Sequence, residues 1–102
     1  MNDNTRSSNH STRLFRLGQI VGTPGALGAL RDAQADVADL LQRHVTGDWG
    51  QLDDEDRKTN ERALITQQRI LSVYILPSTH VKVWVISEAD RSATTLLLPE
   101  EY

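Results

Sequence analysis

The sequence contains no cysteine, which excludes disulfide bonds, thiolate nucleophiles and every metal site that depends on cysteine ligands. It has no stretch near the roughly 20 consecutive apolar residues of a membrane span, and residues 1–13 lack the apolar core of a signal peptide. The net charge is only −3, with basic residues scattered among acidic ones. We therefore expect a cytoplasmic protein with no membrane partner and no non-specific binding to nucleic-acid phosphates.

Motifs that hold metals or phosphates are also missing. The three histidines, His10, His44 and His80, show neither HxH nor HExxH spacing. The segment GTPGALG lacks the GK[ST] ending of a phosphate-binding loop, and the Gly-Asp-Trp-Gly turn is not a GxSxG nucleophile elbow. We therefore predict no metal and no cofactor.

The chain has the size and composition of one ordinary globular domain, with 102 residues, 38% hydrophobic and 25% charged. Residues 1–12 contain five Ser or Thr and three Asn, with no apolar residue after Met1. Such a segment buries too little apolar surface to offset the entropy lost on ordering. We predict a flexible polar tail over residues 1–13 and a single α+β domain over residues 14–102.

Three segments before residue 68 carry helix signals. Thr23, followed by a proline, is a typical N-cap for a short first helix. Asp36 precedes an apolar face at positions i, i+3, i+4, i+7 and i+8, which predicts a second helix. Asp53 caps a third, polar helix that should extend to about residue 67. Because this helix has few apolar residues, its buried face must include Asn60 or Gln67.

The hydrophobic period then changes from about 3.6 to 2, which is typical of strands. Residues 70–76, 81–87 and 93–98 are rich in β-branched and aromatic side chains, and short connections between them require antiparallel neighbours. The early apolar segment, residues 14–21, fits a short edge strand. We predict an α+β fold in which two or three N-terminal helices pack on one face of a C-terminal three- to four-stranded antiparallel sheet.

Alternation along the first two of these strands assigns side chains to two faces of the sheet. The face predicted to form the core carries Leu71, Val73, Ile75, Val81, Val83 and Val85. The opposite face carries Ser72, Tyr74, Lys82 and Trp84, a mixture of polar and aromatic groups that is typical of a surface for a ligand or partner.

Two strings resemble sequences of one protein family. VWVISEADRSATTLLLPEEY, at residues 83–102, and RHVTGDWG, at residues 43–50, are similar to segments of small uncharacterised bacterial proteins found on plasmids and other mobile elements. The resemblance extends over residues 14–102 and assigns no functional residue. It implies a setting of mobile DNA in bacteria, where small proteins are often toxins, inhibitors of host defence or accessory regulators.

The first functional hypothesis is a binding module, an inhibitor or accessory factor that acts on another protein, for example a host-defence component. Its contact surface would be the sheet face with Tyr74, Lys82 and Trp84, or the loop with Asp48 and Trp49. This hypothesis ranks first because no catalytic signature is present and the chain is slightly acidic.

The alternative is a small ribonuclease toxin of barnase-like or RelE-like layout, which would take RNA as its partner. His44 would be the general acid or base, Arg91 or Lys82 would hold phosphate, and Ser72 or Thr95 would position the substrate. The simpler interpretation of His44, on the apolar face of its helix, is a hydrogen-bonded core histidine. A basic groove, which RNA ordinarily requires, is missing from the sequence pattern.

Overall fold

The computed structural model describes residues 12–102, which form an α+β fold. The order of elements is β1 (Gln19–Gly22), α1 (Pro24–Asp32), α2 (Val37–Val45), α3 (Asp54–Thr66), β2 (Ile70–Ile75), β3 (Lys82–Ser87), β4 (Ala93–Leu97) and a 3₁₀ turn (Pro99–Glu101). The tail predicted over residues 1–13 lies outside the described residues apart from its last two. No helix within residues 12–102 has the length and apolar character needed to cross a membrane.

The three predicted helices are confirmed. Their starts were predictable because each depends on a capping residue close by in the sequence. The Thr23 hydroxyl accepts a hydrogen bond from the Ala26 N–H at 3.1 Å, and the Asp53 carboxylate accepts one from the Asp56 N–H at 2.8 Å. Asp36 caps α2 in the same way through the amide two residues later. Each cap satisfies a backbone donor that the first helical turn leaves free.

The strands form one sheet in the order β1-β4-β3-β2. The predicted meander of β2, β3 and β4 is antiparallel throughout, but β1 pairs in parallel with β4. The prediction of a purely antiparallel sheet is therefore wrong. Short turns fix the direction of consecutive strands, whereas β1 is separated from β4 by three helices and two strands, and such a long connection allows either direction.

The assignment of side chains to the two faces is wrong for β2 and correct for β3. The register pairs Ser72 with Val85 and Tyr74 with Val83. Even-numbered residues of β2 therefore share a face with odd-numbered residues of β3, and Ser72 and Tyr74 lie inside, at 0% and 1% exposure. Val73 is thus on the other side of the sheet from Val83. Alternation within each strand does not determine which face of β2 matches which face of β3. The length of the hairpin connection between them determines it.

The face that packs against the helices is named the inner face, and its apolar centre is formed with residues from α1 and α2. Its buried residues are Ala26, Leu30, Ala33, Leu40, Tyr74, Leu76, Val83, Val85 and Leu96. The opposite face, named the outer face, carries Val21, Leu71, Val73, Ile75, Lys82, Trp84, Ile86, Thr95 and Leu97. Burial of the predicted core residues Val73, Val83 and Val85 is confirmed, although Val73 lies on the outer face, whereas Ile75 and Val81 are 40% and 36% exposed.

Candidate functional site

His44, the predicted catalytic residue of the ribonuclease alternative, lies between α2 and the inner face of the sheet. It occupies the last turn of α2 and is 0% exposed. Its Nδ1 atom is 2.6 Å from the Ser72 Oγ, and its Nε2 atom is 2.9 Å from the Ser87 Oγ. The Phe15 ring stands edge-on to the imidazole, with centroids 5.2 Å apart. Both ring nitrogens are thus engaged by buried hydroxyls.

These contacts continue across the sheet as a chain of buried hydroxyl groups. Ser87 Oγ is 2.6 Å from Thr94 Oγ1, and the Thr94 hydroxyl donates to the Leu17 carbonyl at 2.7 Å. Ser72, Ser87 and Thr94 are each 0% exposed, so these hydroxyls replace lost water contacts with one another and with His44. The chain joins α2 to β2, β3 and β4 and to the segment that precedes β1.

The electrostatic environment keeps the His44 imidazole neutral. Burial, together with a smaller contribution from the nearby Arg91 charge, lowers the pKa of His44 to about 3. A general base must reach the proton of its substrate, and His44 is enclosed while both nitrogens already have partners. The geometry therefore favours a structural role for His44, which is the simpler interpretation of its sequence position, and for its hydrogen-bond partner Ser72.

Arg91, predicted to hold phosphate under the same alternative, is engaged with backbone carbonyls. Its guanidinium donates to the carbonyls of Gln68 at 2.7 Å, Glu88 at 2.9 Å and Ala63 at 3.2 Å, and it lies over the Phe15 ring. Burial lowers its pKa. Ala63 lies in the last turn of α3 and Gln68 lies two residues past its end, so Arg91 links the end of α3 to the turn between β3 and β4.

The predicted loop pair Asp48 and Trp49 is divided by the fold. Trp49 is 4% exposed and packs with Ala63 and Ile70, whereas Asp48 is exposed and forms an ion pair with Arg43 at 2.8 Å. The Tyr74 hydroxyl donates to the Asp48 carbonyl at 2.6 Å, and burial raises the pKa of Tyr74 to about 12. The placement of Tyr74 on a surface with Trp84 was therefore wrong, because Tyr74 belongs to the inner face.

Trp84 and Lys82 lie on the outer face, and no outer-face residue belongs to either of the two buried clusters that contain helix residues. Trp84 is partly exposed, and Lys82 is exposed beside Ile75, its partner across the strands. Thr95, predicted to position a substrate together with His44, also lies on the outer face, whereas His44 lies beneath the inner face. The residues of the ribonuclease hypothesis are therefore on opposite sides of the sheet.

Two further residues extend the Trp84 surface, and sequence reasoning missed both. The Tyr102 ring packs edge-on against the Trp84 indole, with centroids 5.5 Å apart, and Tyr102 is 69% exposed. Arg69 donates to the Tyr102 hydroxyl at 3.0 Å and lies over its ring, while its Nε is 3.4 Å from Glu88. The signal available in the sequence was a tyrosine directly after Pro99, Glu100 and Glu101.

Within residues 12–102, no three His, Asp or Glu side chains come together as a possible metal site. Compared with known proteins, the chain matches no family model, no curated protein and no solved structure. The resemblance to plasmid-borne proteins therefore stays a prediction.

Proposed function

We propose that the chain is a small protein-binding module that holds another protein on its outer face, with Trp84 as the central anchor. The cluster of Trp84, Tyr102 and Arg69 is the observation that carries this proposal. Tryptophan, tyrosine and arginine are the residue types that contribute most often to the free energy of protein association. Here they are held against one another before any partner binds, which reduces the entropy lost on binding.

The chemistry around this cluster supports one kind of partner segment. Ile75 is 40% exposed and offers apolar surface, and the exposed Lys82, its partner across the strands, offers a positive charge beside it. A partner segment with an apolar side chain next to an acidic one would complement both properties. With the family resemblance, we propose that the partner belongs to a bacterial host of mobile DNA and that the chain acts as an inhibitor or accessory factor, for example against a host-defence component.

The experiment is capture from a host lysate followed by quantitative binding with the purified partner. We expect Trp84→Ala to weaken binding at least about 30-fold, the equivalent of ~2 kcal/mol, with an unchanged circular dichroism spectrum. Ile65→Ala is the matched control, because Ile65 is 83% exposed on α3 and should leave affinity unchanged. Capture that is equally strong with the parent protein and a folded Trp84→Ala variant would contradict the proposal.

A second variant covers the case in which Trp84→Ala fails to fold. Lys82→Glu changes an exposed side chain on the same face. It should lower the affinity for an acidic partner by about tenfold without loss of stability. Unchanged affinity of Lys82→Glu would then reject the outer face as the contact surface. Retention of RNA rather than protein, with cleavage of that RNA, would favour the ribonuclease alternative.

A further inference from the structure

The two edges of the sheet are treated differently by the fold. At the β2 edge, the Asn60 side chain bonds both backbone groups of Leu71, at 2.7 and 3.2 Å. Next to it, the Val73 N–H donates to the Trp49 carbonyl and the Val73 carbonyl accepts from Gln51, at 3.0 and 2.7 Å. The outward-facing groups of this edge are thus occupied along most of its length, which is how proteins block pairing with other chains.

The β1 edge has no comparable cover among the described residues. The Gln19 N–H donates to the carbonyl of Ser92, the residue before β4, and the Thr23 N–H donates to the Leu96 carbonyl in β4, both at 3.0 Å. Because backbone groups of successive strand residues point to alternate sides, Ile20 and Gly22 direct theirs away from the sheet. The strand Gln19–Gly22 contains no charged residue and no proline, the usual means by which an open edge is protected.

Exposed apolar side chains gather at this same edge. Ile20 is 43% exposed, Val21 41% and Leu27 43%. A Cβ atom added to Gly22 would lie 2.8 Å from a methyl group of Leu27, so the Leu27 side chain covers Gly22. The edge therefore combines open backbone groups with apolar surface on both faces of the sheet.

We propose that β1 pairs antiparallel with β1 of a second copy of this chain, about a two-fold axis at Val21. In this register Ile20 faces Gly22 of the other copy, and both residues direct their backbone groups outward, so each pair exchanges two hydrogen bonds. Val21 faces its own counterpart on the outer face. Ile20 meets the Leu27 side chain that covers the opposite Gly22. The edge is thus self-complementary in both its hydrogen bonds and its apolar contacts, which an isologous interface requires.

The interface differs from the Trp84 surface and does not depend on the proposed function. Pairing would join the two sheets into one of eight strands and place the two outer faces side by side. Since a strand of four residues buries little area, we expect a weak, concentration-dependent dimer with a Kd in the range of roughly 1–100 μM.

The test is sedimentation of the full chain over a range of concentrations. The parent protein should approach twice the monomer mass, and Val21→Lys should remain monomeric because two like charges would meet at the two-fold axis. Val21→Glu alone should also remain monomeric, whereas an equimolar mixture of the two variants should recover dimers. Ile75→Lys is the matched control and should still dimerise, since Ile75 is 40% exposed on the same face but at the opposite edge of the sheet.

Amide hydrogen exchange provides a second measurement that needs no variant. The amides of Ile20 and Gly22 should be protected only at high protein concentration, while the Val21 amide, directed to β4, should be protected at all concentrations. Three sedimentation results would overturn the proposal. The parent protein could stay monomeric, Val21→Lys and Ile75→Lys could have equal effects, or the mixture of the two Val21 variants could fail to dimerise. Protection of Ile20 and Gly22 that is independent of concentration would overturn it as well, because a segment of the same chain would then cover the edge.

Discussion

The Nε2 atom of His44 donates a hydrogen bond to the Ser87 hydroxyl, 2.9 Å away. The other hydrogen bonds in the chain of buried hydroxyl groups fix this direction. The Leu17 carbonyl only accepts, so the Thr94 proton is committed to it. Ser87 must then donate to Thr94 and accept from His44. The unprotonated Nδ1 therefore accepts from the Ser72 hydroxyl. Every hydroxyl in the chain is satisfied only while His44 is neutral.

Stability should consequently fall in mild acid. The pKa of His44 is lowered to about 3 in the folded protein, from about 6.5 in an unfolded chain. The unfolded state therefore binds a proton between these values that the folded state does not, and the free energy of unfolding decreases as pH falls through this window. The full effect is about 4–5 kcal/mol, and above pH ~6.5 it vanishes.

Urea unfolding between pH 7.5 and 4 measures this dependence. His44→Gln removes the titrating group, so the stability difference between parent and variant should shrink as the pH is lowered. His80→Gln, which changes an exposed histidine, is the control and should follow the parent curve. Parallel curves for the parent and His44→Gln would show that the pKa of His44 is the same in the folded and unfolded states, which would contradict the prediction.

The variant His44→Ala separates the structural role from the ribonuclease alternative. Removal of the imidazole leaves a cavity and strands the Ser72 and Ser87 hydroxyls, so we expect a loss of about 2–4 kcal/mol in stability. The ribonuclease hypothesis expects instead that the parent cleaves RNA and that His44→Ala abolishes cleavage with little loss of stability. Thermal unfolding and an RNA cleavage assay on the same preparations distinguish the two.

The register of β2 against β3 gives a further contrast between two valines. Val83 is 0% exposed in the core of the inner face, whereas Val73 is 8% exposed on the outer face near the edge of the sheet. We expect Val83→Asp to abolish folding, because a buried carboxylate without a partner costs several kcal/mol of a typical ~5–15 kcal/mol. Val73→Asp should cost less, because Val73 lies on the edge strand β2 and outside the buried cluster that the sheet forms with α1 and α2. Equal effects in urea unfolding would contradict this assignment of faces.

Local signals in the sequence predicted the helices and the extent of the strands. The caps at Thr23, Asp36 and Asp53 act within three residues, and the change of hydrophobic period is visible in any short window. Relations between distant segments were not predictable in this way. Two such relations are the parallel pairing of β1 with β4 and the register between β2 and β3. Both depend on how segments that are separate in the sequence come together in space, and alternation within one segment does not encode this.

The candidate surface was predicted in part for the same reason. Trp84 and Lys82 follow from alternation along a single strand, and both lie on the outer face. Tyr74 was placed there through the wrong register. Tyr102 and Arg69 join Trp84 only through the fold, because Arg69 precedes β2 and Tyr102 follows the last turn.

Asn60 supports the closed edge of the sheet, and its removal provides the last prediction. Its amide donates to the Leu71 carbonyl and accepts from the Leu71 N–H, so Asn60 takes the place of a neighbouring strand for one residue. Asn60→Leu keeps the volume but leaves both backbone groups without a partner at a site only 3% exposed. We expect a loss of about 2–4 kcal/mol in urea unfolding and faster exchange of the Leu71 amide. Lys58→Ala, an exposed change on the same helix, is the control, and a loss no larger than in that variant would mean that water satisfies Leu71 equally well.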